Sequence, residues 1–303
     1  RVLFAVPRKE VVNDLIPRFQ DAFPMAELAI LTGETRYYTA AAWLVLATTH
    51  QCVRFYHSFD LVVLDEADAF PYQGSEMLHH AVRRALKPAG RLVIMTATPD
   101  RQMLAQIKGG QLPYVAIPAR HHRQALVVPE IVPVRLQPIP DQKWEPPEPV
   151  RRQLLQVKAR QRKALVFLPT LRLLETVGTA IVTWGKTVGL AGAVTSSKTN
   201  NANRNKELLL QGKLDLIVAS TILERGVTIG DLDILVLFAD FERVFDCRTL
   251  VQIAGRAGRR GDPARVFFFA ESVSRAMQEC RQWVERLNED GWRLGYLDIP
   301  IGK

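Results

Sequence analysis

Leu61-Val62-Val63-Leu64-Asp65-Glu66-Ala67-Asp68 decides how this chain is read. Four apolar residues run straight into three acids within four positions. A short continuous apolar run fits a strand buried on both faces of a parallel sheet. Side chains at the carboxyl end of such a strand face the ligand crevice. An Asp there can hold Mg²⁺ through water, because Mg²⁺ keeps part of its hydration shell. The Glu that follows can accept a proton from an attacking water, as phosphoryl transfer requires. The competing reading is a capped, solvated helix start, and the apolar run directly ahead of the acids weighs against it.

Outward from this stretch the same pattern repeats. Val2–Val6, Leu28–Leu31, Trp43–Ala47 and Arg91–Met95 read as further buried strands, with helical patterns at Glu10–Ala22 and Ser75–Leu86 between them. Prolines 138, 140, 146, 147 and 149 then crowd one segment, which reads as a linker. Beyond it the alternation restarts. Strands are expected at Ala164–Leu168, Leu190–Val194, Leu214–Ala219, Ile234–Phe238 and Val266–Phe269, and helices at Leu171–Trp184, Asn203–Gln211, Thr249–Arg256 and Ser274–Leu287. The fold class is therefore α/β: two lobes, each a mostly parallel sheet flanked by helices, at 1–137 and 151–303 with a proline-rich linker at 138–150. Two such lobes are expected to form a ligand cleft.

With 303 residues, 48% hydrophobic and 23% charged, the chain has ordinary globular composition, which excludes disordered and collagen-like classes. No uninterrupted apolar run of about 18 residues exists, so no transmembrane segment is expected. The net charge of +9 fits a polyanionic partner without proving one. Residues 1–135 hold 15 basic and 12 acidic side chains, so both lobes are mildly basic. Cys52, Cys247 and Cys280 are far apart in sequence and no CxxC occurs, which argues against disulfides and zinc. The chain opens on Arg1 and a strand pattern, with no signal peptide, and is expected to be cut at its N-terminus.

A second motif is Gln252-Ile253-Ala254-Gly255-Arg256-Ala257-Gly258-Arg259-Arg260-Gly261. Arg256 and Arg259 are three apart and would share a helix face, where two guanidiniums suit a triphosphate. Three glycines are a poor choice for a plain surface helix. Weaker signals sit at other strand ends: Pro7-Arg8, Thr48-Thr49-His50-Gln51, Thr96-Ala97-Thr98-Pro99 and Ser220 to Ile229. Hydroxyls, backbone amides and an Arg there suit phosphate-backbone contacts. Trp43, Phe55, Tyr56 and Phe70 could stack on bases, although Trp43 sits in a strand run and reads as core. Lys158-Ala159-Arg160-Gln161-Arg162-Lys163 reads equally as a solvated helix end or a phosphate patch. Adjacent His121 and His122 would point different ways and not chelate together.

In order and spacing these motifs resemble a superfamily 2 helicase, and within it the late-competence DNA-uptake translocases (ComFA-like). Pro7-Arg8 resembles motif Ia, Asp65-Glu66-Ala67-Asp68 the Walker B motif, Thr96 to Pro99 motif III, Phe167-Leu168-Pro169-Thr170 motif IV, Thr221 to Thr228 motif V, and Gln252 to Arg260 motif VI. The resemblance implies two RecA-like lobes, with ATP and Mg²⁺ as cofactors. Asp65 would hold Mg²⁺ via water, Glu66 would activate water, and Gln252, Arg256 and Arg259 would serve catalysis. Gly226 and Asp231 would join Asp65, Glu66, Arg256 and Arg259 in cofactor binding. Pro7, Arg8, Thr48, Thr49, Thr96, Thr98, Thr170, Thr221, Glu224 and Arg225 would bind nucleic acid or couple it to the nucleotide.

The implied activity is an ATP-dependent single-stranded DNA translocase or helicase motor driving DNA uptake in natural competence. Its partners would be single-stranded DNA, a membrane DNA-uptake channel and other competence proteins, and its place the cytoplasm at the inner face of the cell membrane. The alternatives are a PriA-like primosomal helicase, an RNA helicase, or a nucleic-acid-binding scaffold without ATPase activity. Two family features are missing. One is the phosphate loop GxxxxGK[ST]; Gly185-Lys186-Thr187 occurs in the wrong lobe, with Ala180 in place of the leading Gly, and reads as a helix end. The other is a four-cysteine zinc module, so zinc is not expected in this stretch of chain.

Overall fold

In a computed structural model the chain is described for residues 1–37, 39, 41–137, 144–196, 201–220, 229–259, 261 and 263–298. It divides into two compact units, Arg1–Tyr114 and Val115–Lys303.

The first unit follows the order β1 (Val2–Val6), α1 (Lys9–Ala22), β2 (Leu28–Leu31), β3 (Arg36–Tyr37), β4 (Leu44–Thr48), a 3₁₀ turn (Thr49–Arg54), β5 (Phe59–Leu64), α2 (Glu76–Ala85), β6 (Leu86–Ile94) and α3 (Arg101–Lys108). The strands form one sheet in the order β3-β2-β4-β1-β5-β6. All pairings are parallel except the short β2–β3 pair. Central β4 is buried at every position, as its unbroken apolar run requires. Helix α2 starts at Ser75, whose hydroxyl accepts from the Leu78 amide. It then buries Leu78, Ala81, Val82 and Ala85, which recur at three- and four-residue spacing on one face.

The second unit runs β7 (Glu130–Pro133), α4 (Glu148–Ala159), β8 (Lys163–Phe167), α5 (Leu171–Leu173), a π turn (Leu174–Gly178), α6 (Thr179–Thr187), β9 (Gly192–Thr195), α7 (Ala202–Leu210), β10 (Leu216–Ala219), β11 (Leu232–Leu237), α8 (Cys247–Ala254), β12 (Val266–Ala270) and α9 (Arg275–Arg293). Its sheet is parallel throughout, in the order β7-β12-β11-β8-β10-β9. The two arms of the chain are thus α/β layers of the same kind.

Three expectations are corrected. The first lobe does not extend to residue 137. β7 pairs with β12 at the edge of the second sheet, an edge position that tolerates its bounding prolines 129 and 133. The proline-rich stretch is not all linker: Pro147 caps α4 and Pro149 lies in its first turn, where a missing N–H costs nothing. Strand β6 is longer than predicted and follows α2 without a loop. Its register shifts opposite Phe59 and Leu61, and Gly90 allows this, since a Cβ there would lie 2.9 Å from the Phe59 carbonyl oxygen.

The three cysteines are free thiols. Burial pushes the Cys52 thiol up to about 12 and raises Cys280 as well. No helix among the described residues is long and apolar enough to cross a membrane.

Candidate nucleotide and nucleic-acid site

Strands β1, β4, β5 and β6 run parallel and in register, with Val6 opposite Thr48, Ala5 opposite Leu64 and Leu64 opposite Ile94. Their carboxyl ends therefore emerge along one edge of the sheet. That edge carries Pro7 and Arg8, Thr48 and Thr49, Asp65 to Asp68, and Thr96 to Thr98. The backbone ties the acidic segment to both neighbouring strands: the Asp65 amide donates to Ala5 O at 2.9 Å, and the Ala67 amide donates to Met95 O at 3.2 Å.

Within this segment the three acids differ in environment. Asp65 Oδ1 accepts from the Glu66 amide at 2.8 Å. Burial holds the Asp65 carboxyl above the usual carboxylate range; the charges of Glu66 and Asp68 push the same way, and the Glu66 amide opposes them. Glu66 has φ +51, a left-handed conformation that a side-chain-bearing residue seldom adopts and that clusters at functional sites. Asp68 is a bridge. Its Oδ1 accepts from the Thr96 hydroxyl and its Oδ2 from the Thr98 hydroxyl, each at 2.9 Å. The Thr98 amide in turn donates to Thr96 Oγ1 at 3.1 Å. Thr96 and Thr98 are thus brought onto the acidic segment.

The carboxyl edge fits a hydrated Mg²⁺. A carboxylate destabilised by burial and by two like charges gains from a cation beside it. Mg²⁺ beside phosphates is commonly held by one or two carboxylates, and Asp65 would supply one.

Several expected contacts fall elsewhere. Thr48 and Thr49 are buried at 6% and 0% exposure, and the exposed residue at that strand end is His50. Arg8 Nε donates to the Phe70 carbonyl at 3.5 Å, which brings it to the loop after the acids. Phe70 and Tyr56 are exposed, whereas Phe55 is buried and packs edge-on against Phe59. Trp43, read as core, is 46% exposed at the start of β4.

In the second unit Thr170 follows β8 and caps α5, its hydroxyl accepting from the Leu173 amide at 3.2 Å. Gln252 lies on α8, but Arg256 and Arg259 do not share its helix face. The helix stops at Ala254, Gly255 caps it, and Gly258 at φ +63 turns the backbone out of helical geometry. Arg256 is buried at 3% exposure, and Arg259 Nε donates to Gly255 O at 3.2 Å. Asp231 is not brought to the carboxyl edge. It precedes β11 at the opposite, amino-terminal edge, 3.8 Å from Arg162 Nη1. Thr221, Glu224, Arg225 and Gly226 lie outside the described residues. Gly185, Lys186 and Thr187 form the last turn of α6, where helical hydrogen bonds occupy the amides a phosphate loop would present.

The basic run read two ways from sequence, and Arg120, which the sequence did not single out, complete the picture. Arg162, buried, donates to Asp233 Oδ1 at 2.7 Å, and Arg160 Nη1 reaches Asp233 Oδ2 at 3.2 Å. The basic run at 158–163 therefore pins the amino-terminal edge of the sheet from within. Arg120 donates from Nη1 to Ala257 O at 2.7 Å and from Nη2 to Gly255 O at 2.6 Å, gripping the turn that carries Arg256 and Arg259. No local pattern marks it, since it stands in irregular chain far away in sequence.

Comparison with known proteins agrees with this geometry. The DEAD/DEAH box helicase family matches residues 1–107, and the helicase conserved C-terminal domain matches residues 148–261. The fold is shared with Mycobacterium smegmatis helicase Lhr bound to ssDNA and AMP-PNP (TM-score 0.64, 17% identity, 95% of this chain and 42% of that one). It is also shared with Saccharomyces cerevisiae Dbp5 bound to RNA and ADP BeF3 (TM-score 0.60, 15% identity, 98% and 79%). Two RecA-like layers, with an acidic strand end in one and an arginine turn in the other, belong to the superfamily 2 helicases, and so does this chain. Within that class it is ComFA-like. It is 33% identical to competence protein ComFA of Bacillus subtilis (strain 168) over 95% of its length, and 30% identical to that of Streptococcus pneumoniae (strain ATCC BAA-255 / R6), also over 95%. The chain spans 62% and 66% of those relatives.

Proposed function

We propose that the protein carrying this chain is an ATP-driven single-stranded DNA translocase working in DNA uptake at the inner face of the cell membrane. One observation carries the reading: Asp65, Glu66 and Asp68 share one strand end, and Asp68 is bonded to both threonines of the neighbouring strand end. In this reading Asp65 holds Mg²⁺, which supplies charge neutralisation at phosphate oxygens. Glu66 takes the proton of the attacking water. Thr96 and Thr98, bonded to Asp68, link the acidic segment to the strand end that follows β6. Arg256 and Arg259 supply positive charge against the phosphates. Arg8, with exposed Phe70 and Tyr56, supplies phosphate and base contacts of low sequence preference. The ATP cycle belongs to a protein that also supplies a phosphate loop.

The alternative is a nucleic-acid-binding scaffold without ATPase activity. One experiment separates the two. In the protein as the cell makes it, ATP turnover is measured with and without single-stranded DNA, for the parent and for Glu66→Gln. The translocase reading expects DNA-stimulated turnover that falls by about 10²–10⁴ in the variant while DNA affinity holds. Turnover absent from the parent overturns the translocase reading. Single-stranded RNA at matched salt is the companion arm, because salt alone shifts phosphate-driven affinity steeply; tighter RNA binding with RNA-stimulated turnover would overturn the DNA assignment.

A further inference from the structure

The chain enters the second unit at Val115 and, before β7, follows an irregular path, part of which is bonded along its length. Arg120 grips Gly255 O and Ala257 O with two guanidinium nitrogens. Arg123 donates to Gly295 O and pairs with Asp298 at 2.5 Å. The Leu126 amide and carbonyl both bond the side chain of Asn288, at 2.7 and 2.8 Å. The Gln124 side chain lies where a Cβ on Gly261 would meet it, at 3.3 Å. This strap therefore touches two things: the arginine turn through Arg120 and Gln124, and the end of α9 with the segment after it through Arg123 and Leu126.

We infer that Arg120 is a positioning residue for the proposed ATPase, acting through the turn that carries Arg256 and Arg259; the inference rests on the function proposed above. The turn needs outside support. Its helix ends at Ala254, and its backbone then passes through the left-handed Gly258, so the carbonyls of Gly255 and Ala257 are not carried in a continuing helix. A guanidinium suits this task because its fork is planar and rigid, with two N–H groups aimed at two separate acceptors. The Gly255 oxygen accepts from Arg120 Nη2 and also from Arg259 Nε, so Arg120 and Arg259 meet at one carbonyl. Moving that carbonyl moves the side chain anchored to it. Small misplacements of groups that act on a transition state cost turnover more than ground-state binding.

The test uses the protein as the cell makes it, assayed for DNA-stimulated ATP turnover well below each variant's melting temperature. Arg120→Ala is expected to lower kcat at least tenfold with KM for ATP within about twofold, as loss of transition-state positioning requires. Arg120→Lys, which keeps the charge but only a point donor, is expected to recover part of that loss. Arg123→Ala, on the same strap but bonded to Gly295 and Asp298, is expected to leave kcat within about twofold. Unchanged kcat in Arg120→Ala overturns the inference while leaving the ATPase reading intact. Equal losses in Arg120→Ala and Arg123→Ala also overturn it, because they would show that the strap merely holds the unit together. A parent without ATP turnover overturns the proposed function and this inference with it. If Arg120→Ala does not fold, Arg120→Lys decides: kcat reduced about threefold or more at constant KM supports the role, and parental kcat rejects it.

Discussion

Asp65 and Asp233 are both carboxylates taken largely out of water, and their surroundings differ in kind. Asp233 is 2% exposed and meets two guanidiniums, Arg162 at 2.7 Å and Arg160 at 3.2 Å, while its Oδ1 also accepts from the Arg265 amide at 3.0 Å. The charged neighbours of Asp65 are Glu66 and Asp68, which repel it. A buried charge is tolerated when paired and hydrogen-bonded, and costs stability when surrounded by like charge. The first arrangement closes the amino-terminal edge of a sheet. The second leaves an acid at a carboxyl-terminal edge, where a cation beside it would relieve the repulsion. The contrast separates a carboxylate that holds the fold from one that is available for chemistry.

The sharpest way to break this contrast is to remove a partner of Asp233. Arg162→Met leaves a buried carboxylate with only part of its compensation, and should lower unfolding stability by about 3–5 kcal/mol, read by urea denaturation. A change below about 1 kcal/mol would show that the network is decorative. Next comes Thr98→Val, which keeps the shape and removes one hydroxyl donor from Asp68. It should cost about 1.5–3 kcal/mol, because hydrogen bonds to charged groups are the stronger kind. A loss of that size confined to the first unit would sharpen the picture of Asp68 as a bridge, and no loss would remove it.

The smallest effect has the opposite sign. The Asp65 carboxyl titrates above its ordinary 3.8 in the folded chain, so the folded state binds more protons than the unfolded one between that value and the raised one. Stability therefore falls as pH rises through this window, and the penalty is fully present above it. Asp65→Asn should be more stable than the parent at pH 7.5, with the advantage shrinking as pH falls toward 3.8. Melting curves at both ends of that range read the difference. An Asn variant that is less stable at pH 7.5 would mean that Asp65, like Asp233, is held by favourable partners.

Much of this architecture could be read from local pattern. The apolar runs at Val2–Val6 and Leu28–Leu31 became strands at those positions, because buried parallel strands carry their burial on both faces. The Asp65 to Asp68 edge was legible for the same reason: the sheet's geometry turns a strand end into a site. What stayed hidden depends on long-range partners. Thr49 looks like a phosphate ligand until β4 and its neighbours bury it. Arg160 and Arg162 look like a surface run until Asp233, some 70 positions later, claims them. Arg256 and Arg259 keep a helical spacing that Gly258 breaks through a backbone angle no spacing reveals. Asp231, which the resemblance assigns to cofactor binding, directly precedes a strand and so lies at the opposite end of the sheet. Arg120 carries no signal at all, because its two acceptors are backbone carbonyls and have no residue identity.

The edge strand β7 and the strap before it are made early, and their partners are made late. Arg120 and the carbonyl of Gly255 are 135 positions apart in the chain. At about 5–20 residues per second on the ribosome, that interval is roughly 7–27 s. Throughout it neither β12 nor the arginine turn is complete. The described strands of the first unit are all made by Ile94, before that interval begins. Within these 303 residues the arginine turn is therefore assembled well after the strap that grips it.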